Sequence, residues 1–176
     1  MNRHRRQRFV AIWLMSLAFA GCSTHPDRSP AGKDGWLTGD DHSKLDKVAK
    51  HLRGFDMAMV ETGYRYNELH FALHDSNWGY ATYQLQKIRT AVENGLERRP
   101  KRAASAQPFL ETGLPQLEAA IDAQDWNLCQ ERFEVLRGFC NSCHAAERVE
   151  FIPVVVPDHR FSPVEFRTDR DVSRSD

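Results

Sequence analysis

Nine positions from Leu45 to Leu73 follow one another at alternating steps of three and four residues: Leu45, Val48, Leu52, Phe55, Met59, Thr62, Tyr66, Leu69 and Leu73. All but Thr62 are apolar. That period puts one greasy stripe on a helix, and the stripe must be buried against other elements. Ser43 or Asp41 offers a start cap, and the polar run Asp75-Ser76-Asn77 closes the pattern. A second stripe (Trp78, Ala81, Leu85, Ile88, Val92) ends in the charged, proline-containing run Glu97–Arg102. A third follows Pro108, with Leu110, Leu114, Leu117 and Ile121; Pro115 inside it implies a kink or a start near Leu114. The fourth follows Asp125 and carries Trp126, Cys129, Phe133, Leu136, Cys140 and Cys143. Short connections make sequential helices antiparallel neighbours, so the expected fold is all-α: an up-down-up-down four-helix bundle over residues 44–157. The late run Phe151–Pro157 has strand-like residues but two prolines, and reads as an extended arm on the bundle. Residues 158–176 read as a polar tail.

The chain begins with a basic segment containing Arg3, Arg5, Arg6 and Arg8, followed by the apolar run Phe9–Ala20, too short to span a bilayer. Residues 1–21 therefore read as a signal peptide. Phe19-Ala20-Gly21-Cys22 looks like the lipobox of bacterial lipoproteins, which implies acylation of Cys22 and a membrane anchor. Ser23, where such proteins use Asp for inner-membrane retention, points to the periplasmic side of the outer membrane. Residues 22–43 are rich in Ser, Pro, Gly and Asp and read as a flexible tether.

Lys plus Arg number 24 and Asp plus Glu number 24, but residues 1–21 hold four of the bases and none of the acids, so the exported part is net acidic. Nucleic acid is not an expected partner. Hydrolase and transferase chemistry is not expected either, for the chain shows no Ser/His/Asp set, phosphate loop or paired carboxylates in a motif.

Cys140-Asn141-Ser142-Cys143-His144 is C-x-x-C-H, the attachment signature of a c-type haem. Two thiols about one helical turn apart can reach the two vinyl groups of one porphyrin, and the following imidazole can ligate the iron. Three alternatives remain: a zinc site, which needs two further ligands and has only Cys129 and His144 close by; a thioredoxin-like dithiol, which wants a βαβ context; and a simple disulfide. Position at the end of the last helix resembles the class II c-type cytochromes, the cytochrome c-prime group and its low-spin relatives. The pattern Met59, Arg65, Leu69, Ala72, Asn77-Trp78, Ala81, Tyr83, with the terminal C-x-x-C-H and a Phe-Ile…Pro arm, is also similar to a poorly characterised bacterial family of four-helix haem proteins. The likeness covers about residues 45–157. It implies one covalent haem c on Cys140 and Cys143, with His144 as proximal iron ligand.

In an up-down-up-down bundle the end holding His144 also holds the start of helix one, so Met57 and Met59 are in range of the iron. Two residues rotate a helix by about 200°, leaving only Met59 on the buried stripe; Met59 is the expected distal ligand, as in the resembling family. The competing reading makes Met59 core packing beside an open iron. His51 lies off the stripe. His70 and His74 begin eleven residues beyond Met59, roughly 16 Å along the helix, and read as a polar helix end, although their i, i+4 spacing suits a metal. Cys129 reads as a buried free thiol, and Tyr64, Tyr66, Tyr80 and Tyr83 as packing residues near the haem. Lys44, Lys47, Lys50 and Arg53, with Arg98, Arg99, Lys101, Arg102, Arg137 and Arg148, gather at the haem end in the expected topology, either a local positive patch suited to propionates or an acidic redox partner protein, or an ordinary solvated surface. The leading expectation is a non-enzymatic electron-transfer cytochrome, compatible with a monomer or a dimer. A gas-binding or peroxide-reacting haem protein with five-coordinate iron, and a structural lipoprotein stabilised by its haem, are the alternatives.

Overall fold

The computed structural model describes residues 28–162. The signal peptide, Cys22 and the tail beyond Ser162 lie outside the described residues. The chain is all-α, with no β-strand among the described residues and no helix long and apolar enough there to cross a membrane.

The chain divides into two compact units, one ending at Ala49 and one starting at Lys50. In the first, an isolated bridge joins Ala31 and Leu37 across a tight turn, giving local order to part of the expected tether. Helix α1, Asp41–Leu52, starts there. Its first amides are capped by Asp40, whose Oδ1 accepts the Ser43 N–H at 2.8 Å, so neither Ser43 nor Asp41 is the cap. α1 buries no residue, and Leu45, Val48 and Leu52 are exposed.

The single long helix expected from Leu45 to Leu73 is two helices. Arg53 adopts a positive φ of 62° and Gly54 leaves helical geometry, which stops α1 before α2, Phe55–His74. Asp56 stabilises the break by accepting the Gly54 N–H at 3.0 Å and an Arg53 guanidinium hydrogen bond. Periodicity runs through this break because it reports which face is apolar, not whether backbone bonds are continuous.

The remaining helices belong to the second unit. α3, Trp78–Arg98, starts where Asn77 Oδ1 accepts the Tyr80 N–H at 3.0 Å. The third helical segment begins earlier than expected: α4, Ala103–Pro108, runs through a π-turn, Phe109–Gly113, into α5, Leu114–Asp122. The turn has a chemical cause. Leu114 N–H donates to the Phe109 carbonyl, five residues back; the next donor, for Leu110, would be Pro115, which has no N–H. Arg89 Nη1 supplies that bond from α3 at 3.2 Å. α6, Trp126–Ala146, is capped by Asp125, whose Oδ1 accepts the Leu128 N–H at 3.0 Å.

α2 packs chiefly on α3 and α5 on α6, with α3 against α5 and α2 against α6. Two glycines permit close approach: a Cβ on Gly95 would fall 2.7 Å from Ala58 Cβ, and one on Gly113 would fall 2.8 Å from the Phe139 ring.

After α6 the chain from Val149 to Ser162 has neither helix nor strand and is fastened to α2. Asn67 Nδ2 donates to the His159 carbonyl at 3.0 Å. Arg160 donates to both oxygens of Glu68, from Nη2 at 2.6 Å and from Nε at 3.2 Å, and the Tyr80 hydroxyl adds a third bond at 2.8 Å. Glu68 is fully buried. Burial opposes its charge, but the bonds from Arg160 and Tyr80 and the guanidinium charge together outweigh it and hold the carboxyl below its ordinary value of 4.5. A depressed carboxylate contributes stability above its unfolded pKa and loses it as pH falls through the folded value. Arg160→Met should therefore lower stability by about 3 kcal/mol near pH 7, with the gap from the parent closing as urea melts are repeated below pH 4.5; a gap independent of pH would refute the ion pair's role.

Candidate functional site

A partly open cavity of about 220 Å3 lies in the second unit. α2 contributes Phe55, Met59, Thr62, Gly63 and Tyr66 to its wall, and α3 contributes Ile88 and Val92. Ala106 and Phe109 come from α4 and the π-turn; Leu136, Cys140, Cys143 and His144 come from α6; Ile152 and Val154 come from the segment after it. The wall is almost wholly apolar, as sites for flat organic ligands are. Thr62, the polar exception in the first stripe, belongs to it.

Cys140, Cys143 and Met59 meet His144 here because stripe positions of α2 and α6 face a common space. Cys140 and Cys143 are both free thiols. Burial, with the neighbouring Cys143, pushes Cys140 up to about 12. Burial raises Cys143 as well, against a lowering bond from Ser105. Both lie above the ordinary thiol value, unlike the cysteines of an activated dithiol. Among the described residues no three His, Cys, Asp or Glu side chains converge to hold a bare metal ion.

His144 Nδ1 lies 2.7 Å from the carbonyl oxygen of Ile152. A carbonyl only accepts, so Nδ1 carries a proton and donates it, which makes Nε2 the ring nitrogen able to offer a lone pair to a ligand. This arrangement orients metal-binding histidines elsewhere. Asn141 sits between the two cysteines and pairs with Val154 in both directions, Nδ2 donating to its carbonyl at 3.0 Å and Oδ1 accepting its N–H at 2.8 Å. Ser142, the other spacer residue, turns back on its own helix and donates to the Gly138 carbonyl.

The other sequence candidates fall away from the cavity wall. Met57 is 41% exposed and His51 is exposed on α1. Cys129 is a buried free thiol, pushed by burial to about 11. His70 rests against Phe133 and Phe71, and burial, then the neighbouring His74, lower its pKa; His74 is exposed beside Asp75 and the Trp126 ring. Tyr64 and Tyr83 flank the Arg65 guanidinium, and Tyr80 serves Glu68. Of the tyrosines only Tyr66 lines the cavity, stacked on Phe133 with centroids 4.6 Å apart. Several members of the basic cluster carry a carboxylate partner: Arg53 with Asp56, Arg102 with Glu147, and Arg137 with Glu134. That pairing dilutes the local positive field.

Ala106, Phe109, Asn141 and the Ile152 carbonyl escaped the sequence reading. A backbone carbonyl has no sequence signal, and Asn141 occupies a spacer position where the motif accepts any residue. No family model matches this chain, and neither a curated protein nor a solved structure matches it.

The hydroxyls of Thr62 and Tyr66 are buried without a hydrogen-bond partner. A buried orphan hydroxyl costs free energy that a methylene or bare ring does not. Tyr66→Phe should leave stability in chemical denaturation unchanged or raise it by about 1 kcal/mol; a clear loss would show that the hydroxyl has a partner in solution.

Proposed function

We propose that this chain is a c-type cytochrome that transfers electrons with one covalently held haem c. The observation that carries the reading is the bond from His144 Nδ1 to the Ile152 carbonyl, inside a C-x-x-C-H motif whose cavity also receives Met59. The residues fit the group. Two neutral thiols three residues apart on α6 suit thioether formation with two vinyl groups, an apolar wall suits a macrocycle, and an imidazole with a free Nε2 suits iron. When bound, haem iron supplies a one-electron couple. Cys140 and Cys143 would tether it, and His144 would be the proximal ligand.

Met59 reaches the same wall from α2 and would be the distal ligand, closing the iron to small molecules and raising its potential. The surrounding apolar side chains exclude water. We read α2, α3, the α4–α5 segment and α6 as an up-down-up-down bundle of class II cytochrome type, with Val149–Pro157 as its extended arm. The short connections at Asp75–Asn77 and Ala123–Asp125 support that topology. In the same reading, Cys22 carries lipid that anchors the chain on the periplasmic side of the outer membrane, and the partner is an acidic redox protein.

The test is an absorption spectrum of protein matured with a c-type haem attachment system, taken oxidised, reduced, and reduced with carbon monoxide. A low-spin spectrum indifferent to carbon monoxide is expected. A high-spin spectrum that shifts with the gas would instead identify a five-coordinate, gas-binding protein. Met59→Ala should keep the haem and admit carbon monoxide; unchanged gas binding would remove Met59 from the iron. Replacing Cys140 and Cys143 together with Ser should abolish denaturation-resistant haem, and covalent haem surviving that change would overturn the assignment.

A further inference from the structure

We propose that Asn141 is a positioning residue for His144: its side chain clamps Val154, and the clamp presents the Ile152 carbonyl that fixes the orientation and tautomer of the imidazole. The inference rests on the cytochrome reading for its purpose, but its geometry stands apart from it.

An asparagine amide has one donor face and one acceptor face, and Asn141 uses both on a single residue. Nδ2 meets the Val154 carbonyl at 3.0 Å and Oδ1 meets the Val154 N–H at 2.8 Å. That is how two opposed residues of an antiparallel pair bond, with the amide replacing the second strand. Ile152, two residues before Val154, is itself held in a turn by its N–H, which donates to the Val149 carbonyl at 2.9 Å, so the clamp on Val154 and that turn together limit where the Ile152 carbonyl can point. Pro153 between them stiffens the link: its ring sets its own φ and disfavours helical geometry at Ile152. On α6, His144 lies three residues beyond Asn141 and so on the same face. Its Nδ1 meets the Ile152 oxygen at 2.7 Å. Farther along, the His159 carbonyl on Asn67 and Arg160 on Glu68 hold the other end of the segment.

The consequence is specific. A firm Nδ1–H···O bond fixes the tautomer in which Nε2 carries the lone pair, and it makes the ring a stronger donor to a metal. Any side chain at position 141 would satisfy C-x-x-C-H, but few could bond a backbone residue in both directions.

The test uses the full chain and two variants. Asn141→Leu has similar bulk and makes neither bond; Asn141→Asp still accepts from the Val154 N–H and cannot donate to its carbonyl while ionised. In the haem-loaded, reduced protein, the Val154 amide and the His144 Nδ1 proton should exchange with solvent about tenfold faster in Asn141→Leu, with Asn141→Asp between. The midpoint potential should rise in the same order, because a weaker bond at Nδ1 makes a weaker ligand. Equal exchange rates and equal potentials in parent and variants, with helix content and haem stoichiometry unchanged, would overturn the proposal. Should Asn141→Leu fail to fold, the same comparison with Asn141→Asp decides it. If the parent takes up no covalent haem, the cytochrome reading fails by itself, and nitrogen-15 histidine shifts of the haem-free chain still decide this one. An Nδ1–H tautomer of His144 in the parent that is lost in the variants supports the clamp, and a mixture of tautomers in the parent refutes it.

Discussion

Leu69 of α2, Ile88 of α3, Leu117 of α5 and Leu136 of α6 are each sealed from solvent, and their shared burial is the constraint on which the second unit depends. Each contributes about 1.5–3 kcal/mol by leaving water. Together they require four helical segments to present apolar stripes to one space. Ile88 and Leu136 also belong to the cavity wall, so part of the core is the inner face of the site. The cavity is where the stripes continue without filling the space between them.

That continuity explains the chemistry gathered there. Cys140 and Cys143 extend the stripe of Phe133 and Leu136, so the packing that buries α6 also desolvates the thiols and keeps them protonated. Met59 extends the stripe of Tyr66 and Leu69 in the same way. His144 is placed differently. It sits one residue off the cysteine stripe at the half-buried end of α6, and a hydrogen bond to backbone that returns after the helix governs its ring.

The returning segment depends on polar contacts that the core could not supply. Glu68 lies next to Leu69 and is as deeply buried, which is tolerable only because Arg160 and Tyr80 satisfy its oxygens. Asn67 and Asn141 spend their amides on backbone groups of the same segment. Val155, Val156 and Phe161 remain exposed along it, so apolar burial alone does not hold that segment. Directional bonds fix its register.

Residue type at local spacing is enough to give the helical class, the faces buried from Phe55 onward and the C-x-x-C-H set, whereas the stripe positions Leu45, Val48 and Leu52 stay exposed. It also selected Met59 over Met57, since a two-residue offset reverses the face of a helix. The break at Arg53–Gly54, the π-turn before Pro115 and the cap at Asp40 came from the folded structure, because the competing local bonds there differ by less than periodicity can detect. The pairing of Glu68 with Arg160, and the meeting of the Ile152 carbonyl with His144, were likewise beyond the sequence. Those contacts join positions far apart in the chain or use backbone groups common to every residue, so no residue pattern encodes them and the folded geometry alone selects the partner.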